Sequence, residues 1–188
     1  LRVVATFFPL YDFAKNIGGD KIDLEILFPQ TPEVASFTPA DLQKISQADL
    51  IIKNGLGLEP VLDELVQGSD NPGVTVVDTS RGVAVLKSAE EEDHPLGDPH
   101  LWLNPQNAII QVTNISAALA AKDPANADFY QKNAPDYAES LRHLDEEIAQ
   151  ELGALKKKDF VAFHSAFSYL ASRYGLNQAA VIEEFPGK

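Results

Sequence analysis

The sequence predicts an α/β fold: a parallel-sheet (βα)n amino-terminal lobe, a long connecting helix, and an incomplete second α/β lobe. Three observations carry that prediction. Short apolar runs alternate with helical patterns through residue 104, a long helical pattern occupies 105–158, and the strand–helix–strand texture resumes over 159–188. With 188 residues and 45% hydrophobic content, the chain can bury a core of ordinary size.

Each element has a local reason. Residues 3–7, 22–28, 50–53 and 74–77 are apolar and β-branched, are bounded by Gly, Pro, Asn and Asp, and lack period-2 alternation. Strands covered on both faces read this way. Between them, residues 10–17, 39–47 and 60–67 have helical spacing, as in Leu62, Leu65 and Val66; Thr38 is placed to cap the second of these, with Pro39 as its first residue. Short strand–helix alternation implies a parallel sheet. From Asn104-Pro105 the pattern is helical to Lys158, interrupted at Lys122-Asp123-Pro124, where Asp123 is expected to cap a second helix. Along that helix Tyr137, Leu141, Leu144, Ile148, Leu152 and Leu155 form one apolar stripe, with charged residues opposite. Tyr137 to Leu155 spans roughly 27 Å, so the segment reads as a rigid strut. Pro135 marks a kink or a late start. Residues 159–163 then read as a strand, 164–174 as a helix stopped by Gly175, and 179–182 as a further strand. Two strands and a helix do not close a core alone.

Composition excludes several function classes. Lys and Arg number 15 against 28 Asp and Glu, a net charge of −13, and the one basic run is Lys156-Lys157-Lys158. Nucleic-acid binding, which needs clustered cations, is not expected. There is no Cys, hence no disulfide and no thiolate metal site, and no Met. The chain opens at Leu1 directly into a strand, so an upstream segment is expected to have been removed. No apolar run reaches transmembrane length. Asn54-Gly55-Leu56-Gly57-Leu58-Glu59-Pro60 starts like a dinucleotide fingerprint but has Pro60 at the third glycine position. Ser165 beside His164 makes no triad, and no Gly-x-Ser-x-Gly elbow occurs.

Three residues stand as candidates for one site. Glu33 follows the strand 22–28, His100 ends Gly97-Asp98-Pro99-His100, and His164 follows the strand 159–163. Carboxyl ends of strands are where open α/β sheets place ligand-binding groups. Imidazole with carboxylate suits zinc, or manganese or iron at richer carboxylate content, and Asp98 is placed to orient an imidazole from behind. Taken singly, either histidine is more simply a capping or hydrogen-bonded residue. Residues 88–100, with five acids and no Lys or Arg, read as a solvated, mobile loop in which Asp93 and His94 could assist capture of a cation. His143 reads as a solvated strut residue.

Four blocks add a family resemblance. Val3-Val4-Ala5-Thr6-Phe7-Phe8-Pro9-Leu10, Ala48-Asp49-Leu50-Ile51-Ile52-Lys53-Asn54-Gly55-Leu56-Gly57-Leu58-Glu59, Asp98-Pro99-His100-Leu101-Trp102-Leu103-Asn104-Pro105, and Phe163-His164-Ser165-Ala166-Phe167 through Arg173-Tyr174-Gly175-Leu176 follow one another along the chain. In that order they resemble the solute-binding proteins of ABC importers for zinc and manganese, a family of extracytoplasmic metal receptors in the periplasm or lipid-anchored at the membrane's outer face. The resemblance implies two α/β lobes joined by one long helix, residues 1–104, 105–158 and 159–188 being the first lobe, the strut and the start of the second. It implies metal in the interlobe cleft, two ligands from each lobe, His100 and His164 among them, and a membrane permease as partner. Histidine at position 164 resembles the zinc branch.

Two departures from the family stand out. Counting back from Pro39-Ala40-Asp41 puts Glu33 on the family's first histidine, whereas anchoring on Ser36-Phe37 puts Ala35 there. The family's last acidic ligand lies beyond Glu183-Glu184-Phe185-Pro186, while this chain stops at Lys188 and so reads as truncated. Water or self-association with a second copy would then complete the site. The expectation is a zinc receptor, not an enzyme, which releases its ion on acidification through a histidine pKa near about 6.5. The alternatives are an adhesion or interaction protein on the same scaffold, and a zinc hydrolase with Glu33 as general base.

Overall fold

The computed structural model describes residues 1–29, 32–34, 36–88, 92 and 94–182, with Val34 described by its backbone alone. Four strands, β1 (Arg2–Ala5), β2 (Asp23–Ile26), β3 (Leu50–Lys53) and β4 (Thr75–Asp78), form one sheet in the order β2-β1-β3-β4. Every pairing in it is parallel, with Val4 opposite Glu25 on one side and Ile51 on the other. Because successive strand residues face opposite ways, Val3, Ala5, Leu50 and Ile52 enter one core and Val4 and Ile51 another. The first core is closed by α1 (Phe8–Gly18), α4 (Pro105–Lys122) and α5 (Ala127–Gly153), through Leu10, Ile17, Val112, Ile115 and Tyr130. The second is closed by α2 (Pro39–Gln47) and α3 (Leu62–Gly68), through Ile45, Leu62 and Leu65. Helices on both faces explain the missing alternation in the strands.

Local signals set the helix starts that matter for the site. Thr38 caps α2 in a reciprocal box, its Oγ1 accepting from Asp41 N and its backbone N donating to Asp41 Oδ2 at 2.9 Å. Asn104 Oδ1 accepts from Gln106 N at 2.9 Å at the start of α4, with Pro105 as first helical residue. Asp123 differs from its expected role. Its Oδ2 accepts from Asn126 Nδ2 and Tyr130 Oη, both at 2.7 Å, a 3-10 turn over Pro124–Asn126 follows, and α5 begins at Ala127.

The 27 residues of α5 extend roughly 40 Å, and the helix continues through Pro135. It is tied to the first core by Tyr137 Oη donating to Asp12 Oδ2 at 2.7 Å and Asn133 Nδ2 donating to Ile17 O at 3.0 Å. Its buried side differs from the apolar stripe of the sequence. Leu144 is exposed and Leu155 lies beyond the helix and is exposed, whereas Asp145, 3% exposed, is buried. Beyond α5, β5 (Asp159–Ala162) and β6 (Asn177–Val181) pair in parallel around α6 (Ser168–Tyr174). Gly175 takes the left-handed conformation that ends α6. The expected helix start at 164 is corrected: Ala166 N donates to His164 O at 2.9 Å, a local turn, and the helix begins four residues later.

Candidate metal centre

In the order β2-β1-β3-β4 successive strands are added in opposite directions on either side of the β1/β3 boundary, and the carboxyl ends of those two parallel strands open onto a crevice. Around that crevice lies a cavity of about 430 Å³ with Phe7, Leu58 and Trp102 as apolar wall. Glu33, His100 and His164 also line it. One ligand atom from each of the three lies within 4.8 Å of the others.

Glu33 sits on a 3-10 turn, Pro32–Val34, just after β2. His100 precedes the turn Leu101–Leu103 that leads into α4, and His164 sits on the turn between β5 and α6. His100 Nε2 is 3.2 Å from Glu33 Oε1 and 3.1 Å from His164 Nε2, and His164 Nε2 is 3.9 Å from Glu33 Oε1. Tetrahedral zinc with bonds of about 2.0–2.1 Å puts neighbouring ligand atoms about 3.3 Å apart, so these separations bracket the value required. Glu33 Oε1 is buried and receives no well-directed hydrogen bond among the described residues. An oxygen in that position is costly unless a cation reaches it, either the protonated His100 ring 3.2 Å away or a metal ion. The donor set therefore fits a divalent ion, with zinc favoured and manganese or iron accommodated.

Asp98 does what its spacing suggested. Its Oδ1 accepts from His100 N at 2.9 Å and lies 2.8 Å from His100 Nδ1, and since an ionised carboxylate only accepts, Nδ1 carries the hydrogen and Nε2 faces the site. Burial works to raise the Asp98 pKa, but hydrogen bonds from the His100 ring and backbone and from Ser168 keep it below the usual carboxylate value. For His100, burial favours the neutral ring, but the Asp98 and Glu33 carboxylates outweigh it and raise the pKa to about 9. In the ion-free site the imidazole thus holds a proton where the cation would sit, and the titration lies above the expected 6.5.

His94 corrects the reading of a solvated loop. It is 5% exposed, and its Nε2 lies 3.7 Å from Glu33 Oε1. Gly97 is responsible: at φ +108° it turns the chain so that its N bonds His94 O at 3.1 Å while Asp98 N bonds Leu86 O at 2.9 Å. A Cβ there would stand 2.8 Å from Leu86 O. Asp93, Ala35 and residues 183–186 lie outside the described residues. His143 faces solvent between Glu139 and Glu146, as expected.

Sequence reasoning passed over the residues that hold His100 in place. Glu59, 7% exposed, accepts from Thr6 Oγ1 and Asn54 N, both at 2.7 Å, and joins the ends of β1 and β3. Burial raises its pKa against those hydrogen bonds. Asn54 Nδ2 in turn donates to Pro99 O at 2.8 Å, next to His100. The available signal was a carboxylate closing the apolar run Leu56-Gly57-Leu58-Glu59.

A parallel α/β sheet backed by a long helix, with two imidazoles and a carboxylate converging beside its switch point, makes a candidate metal centre. Residues 3–187 match the family model described as ZnuA, zinc-uptake complex component A, periplasmic. The chain belongs to that family. It is 35% identical over 194 residues to the high-affinity zinc uptake system protein ZnuA of Bacillus subtilis, covering 96% of this chain and 60% of the relative. To the manganese ABC transporter substrate-binding lipoprotein PsaA of Streptococcus anginosus it is 39% identical, covering 97% of this chain and 62% of the relative. The crystal structure of the Zn(II)-bound ZnuA-like domain of Streptococcus pneumoniae AdcA superposes with a TM-score of 0.84 at 34% identity, over 96% of this chain and 66% of that one. The chain thus spans about three fifths of the length of the curated relatives it matches.

Proposed function

We propose that this chain belongs to an extracytoplasmic receptor that binds zinc through Glu33, His100 and His164 and passes it to an ABC permease. The convergence of those three ligand atoms within 4.8 Å, in a chain of this family, is the observation that carries the reading. Asp98 orients His100, and the negative charge of the segment that holds Asp93 and His94 favours the approach of cations. In this reading residues 1–104 are the first lobe, 105–158 the strut, whose α4 and α5 also close that lobe's first core, and 159–188 belong to the second. The names of the relatives, a zinc uptake protein and a substrate-binding lipoprotein of an ABC transporter, support the permease as partner and the outer side of the membrane as location. Among the described residues no helix is long and apolar enough to cross a membrane. The role is transport, not catalysis, and no observation favours the adhesion alternative.

Competition of the chain with a chromophoric chelator measures the zinc affinity. Removal of an outer partner of a ligand costs about 10–100-fold, so His100→Ala and His164→Ala are each expected to lose about 100-fold or more. Undiminished zinc affinity in both variants would overturn the proposal.

A further inference from the structure

Of the three candidate ligands, His164 alone comes from the carboxyl-terminal side of α5. The parallel pair β5 and β6 is too small to fix that histidine by its own core. What fixes it is α6, anchored at both ends. At its amino end, Tyr169 Oη donates to Asp98 O at 3.0 Å and accepts from Leu86 N at 3.1 Å, so α6 grips the segment that leads to His100. At its carboxyl end, Arg173 and Tyr174 both reach one carboxylate on the strut, that of Asp145.

Asp145 is 3% exposed and both its oxygens are fully engaged. Oδ1 accepts from Arg173 Nε at 3.0 Å and Tyr174 Oη at 2.8 Å. Oδ2 accepts from Arg173 Nη2 at 2.5 Å and from Gln106 Nε2 at 2.7 Å. Gln106 lies in the first turn of α4, six residues after His100. A single carboxylate therefore joins the helix that carries on from His100 to the helix that carries on from His164, and does so with a planar two-point contact that fixes angle as well as distance.

We propose that Asp145 is a positioning residue for metal binding: through Arg173, Tyr174 and Gln106 it sets where His164 stands relative to His100 and Glu33. The proposal rests on the metal reading of the site above. Asp145 touches no ligand atom and acts through His164, which makes the test specific.

Zinc affinity is measured for the chain and for Asp145→Asn, His164→Ala and the double variant, with cobalt(II) absorption reporting the number of protein donors. Asp145→Asn is expected to weaken zinc by about 10–100-fold and to shift the cobalt spectrum toward that of His164→Ala. In the His164→Ala background the same substitution is expected to cost nothing further, because the residue it positions is gone. Wild-type affinity in Asp145→Asn, or a loss that multiplies with that of His164→Ala, would overturn the proposal. Should Asp145→Asn fail to fold, Tyr174→Phe removes one hydrogen bond from the same carboxylate and is expected to weaken zinc by about 5-fold, again only while His164 is present. If His164→Ala itself binds like wild type, the zinc site as assigned fails first. If that variant loses zinc and neither Asp145→Asn nor Tyr174→Phe does, the zinc site stands and the positioning role falls.

Discussion

The two sides of the candidate metal centre are built differently. Glu33 and His100 stand at the ends of a four-stranded sheet with a core on each face, and His100 is held by Asp98 and, through Pro99, by Asn54 and Glu59. His164 stands at the end of a two-stranded sheet whose Val161, with Phe163 and Ile182 just past the strand ends, is at least 60% exposed, and it reaches its place through the polar anchors of α6. One side is placed by apolar burial and the other by hydrogen bonds and charge. Hydrophobic packing is indifferent to direction and hydrogen bonds are not, so the second side is held by fewer contacts but at a more closely defined angle.

Substitutions separate the two sides, and the largest effect belongs to the first core. Ile52→Ala, at a fully buried strand position, is expected to lower global stability by about 2–5 kcal/mol in chemical denaturation. A cost below about 1 kcal/mol would show that the sheet is not the foundation of the molecule. The polar side answers to acid instead. The Asp145 carboxyl, held at about 2 chiefly by Arg173 despite its burial, binds a proton less readily folded than unfolded, so its contribution is complete above about 4 and is lost as pH falls toward 2. With the partly exposed Arg173 screened by solvent, that contribution is about 1–2 kcal/mol, and Asp145→Asn should flatten this part of the stability profile.

Smaller effects sharpen the comparison at the site itself. Asp98→Asn leaves all three candidate ligands in place but loses the acceptor that fixes the His100 ring, and should weaken zinc by about 10-fold, read by chelator competition. An unchanged affinity would mean that packing against Trp102 is enough to orient the imidazole. Because the ion-free His100 pKa is raised to about 9, the charged ring stabilises the ion-free chain fully below about 6.5 and ceases to do so as pH rises through 9. Zinc must displace that proton, so its apparent affinity should fall about tenfold per pH unit below 9, with proton release visible in calorimetry across buffers of different ionisation enthalpy. The least effect is expected at Val161→Thr on the exposed face of β5, within about 0.5 kcal/mol of wild type.

Much of this architecture was legible residue by residue. The ranges 39–47 and 50–53 coincide with α2 and β3, because a cap with Pro39 and an apolar run bounded by Asp49 and Asn54 are complete local signals. The pairing of Asp98 with His100 was legible for the same reason, the two being separated by one residue. Where reading failed, the deciding partner was distant. Asp145 looked like part of a solvated face, and Leu144 beside it like core; the arrival of Arg173 and Tyr174, 28 and 29 residues later, reversed the two. His94 looked solvated until Gly97 turned its loop toward Glu33, 61 residues earlier in the chain.

By itself, then, the sequence determined the order of strands and helices and the parallel sheet, because hydrophobic period, caps and turn residues act within a few positions of one another, and it named Glu33, His100 and His164 as candidates for one site. The tertiary structure alone decided which face of the strut is buried, how the imidazoles of His100 and His164 come to stand 3.1 Å apart, and why His100 holds its proton. Those outcomes depend on burial and on the field of charges brought together from far along the chain. No local pattern encodes either quantity.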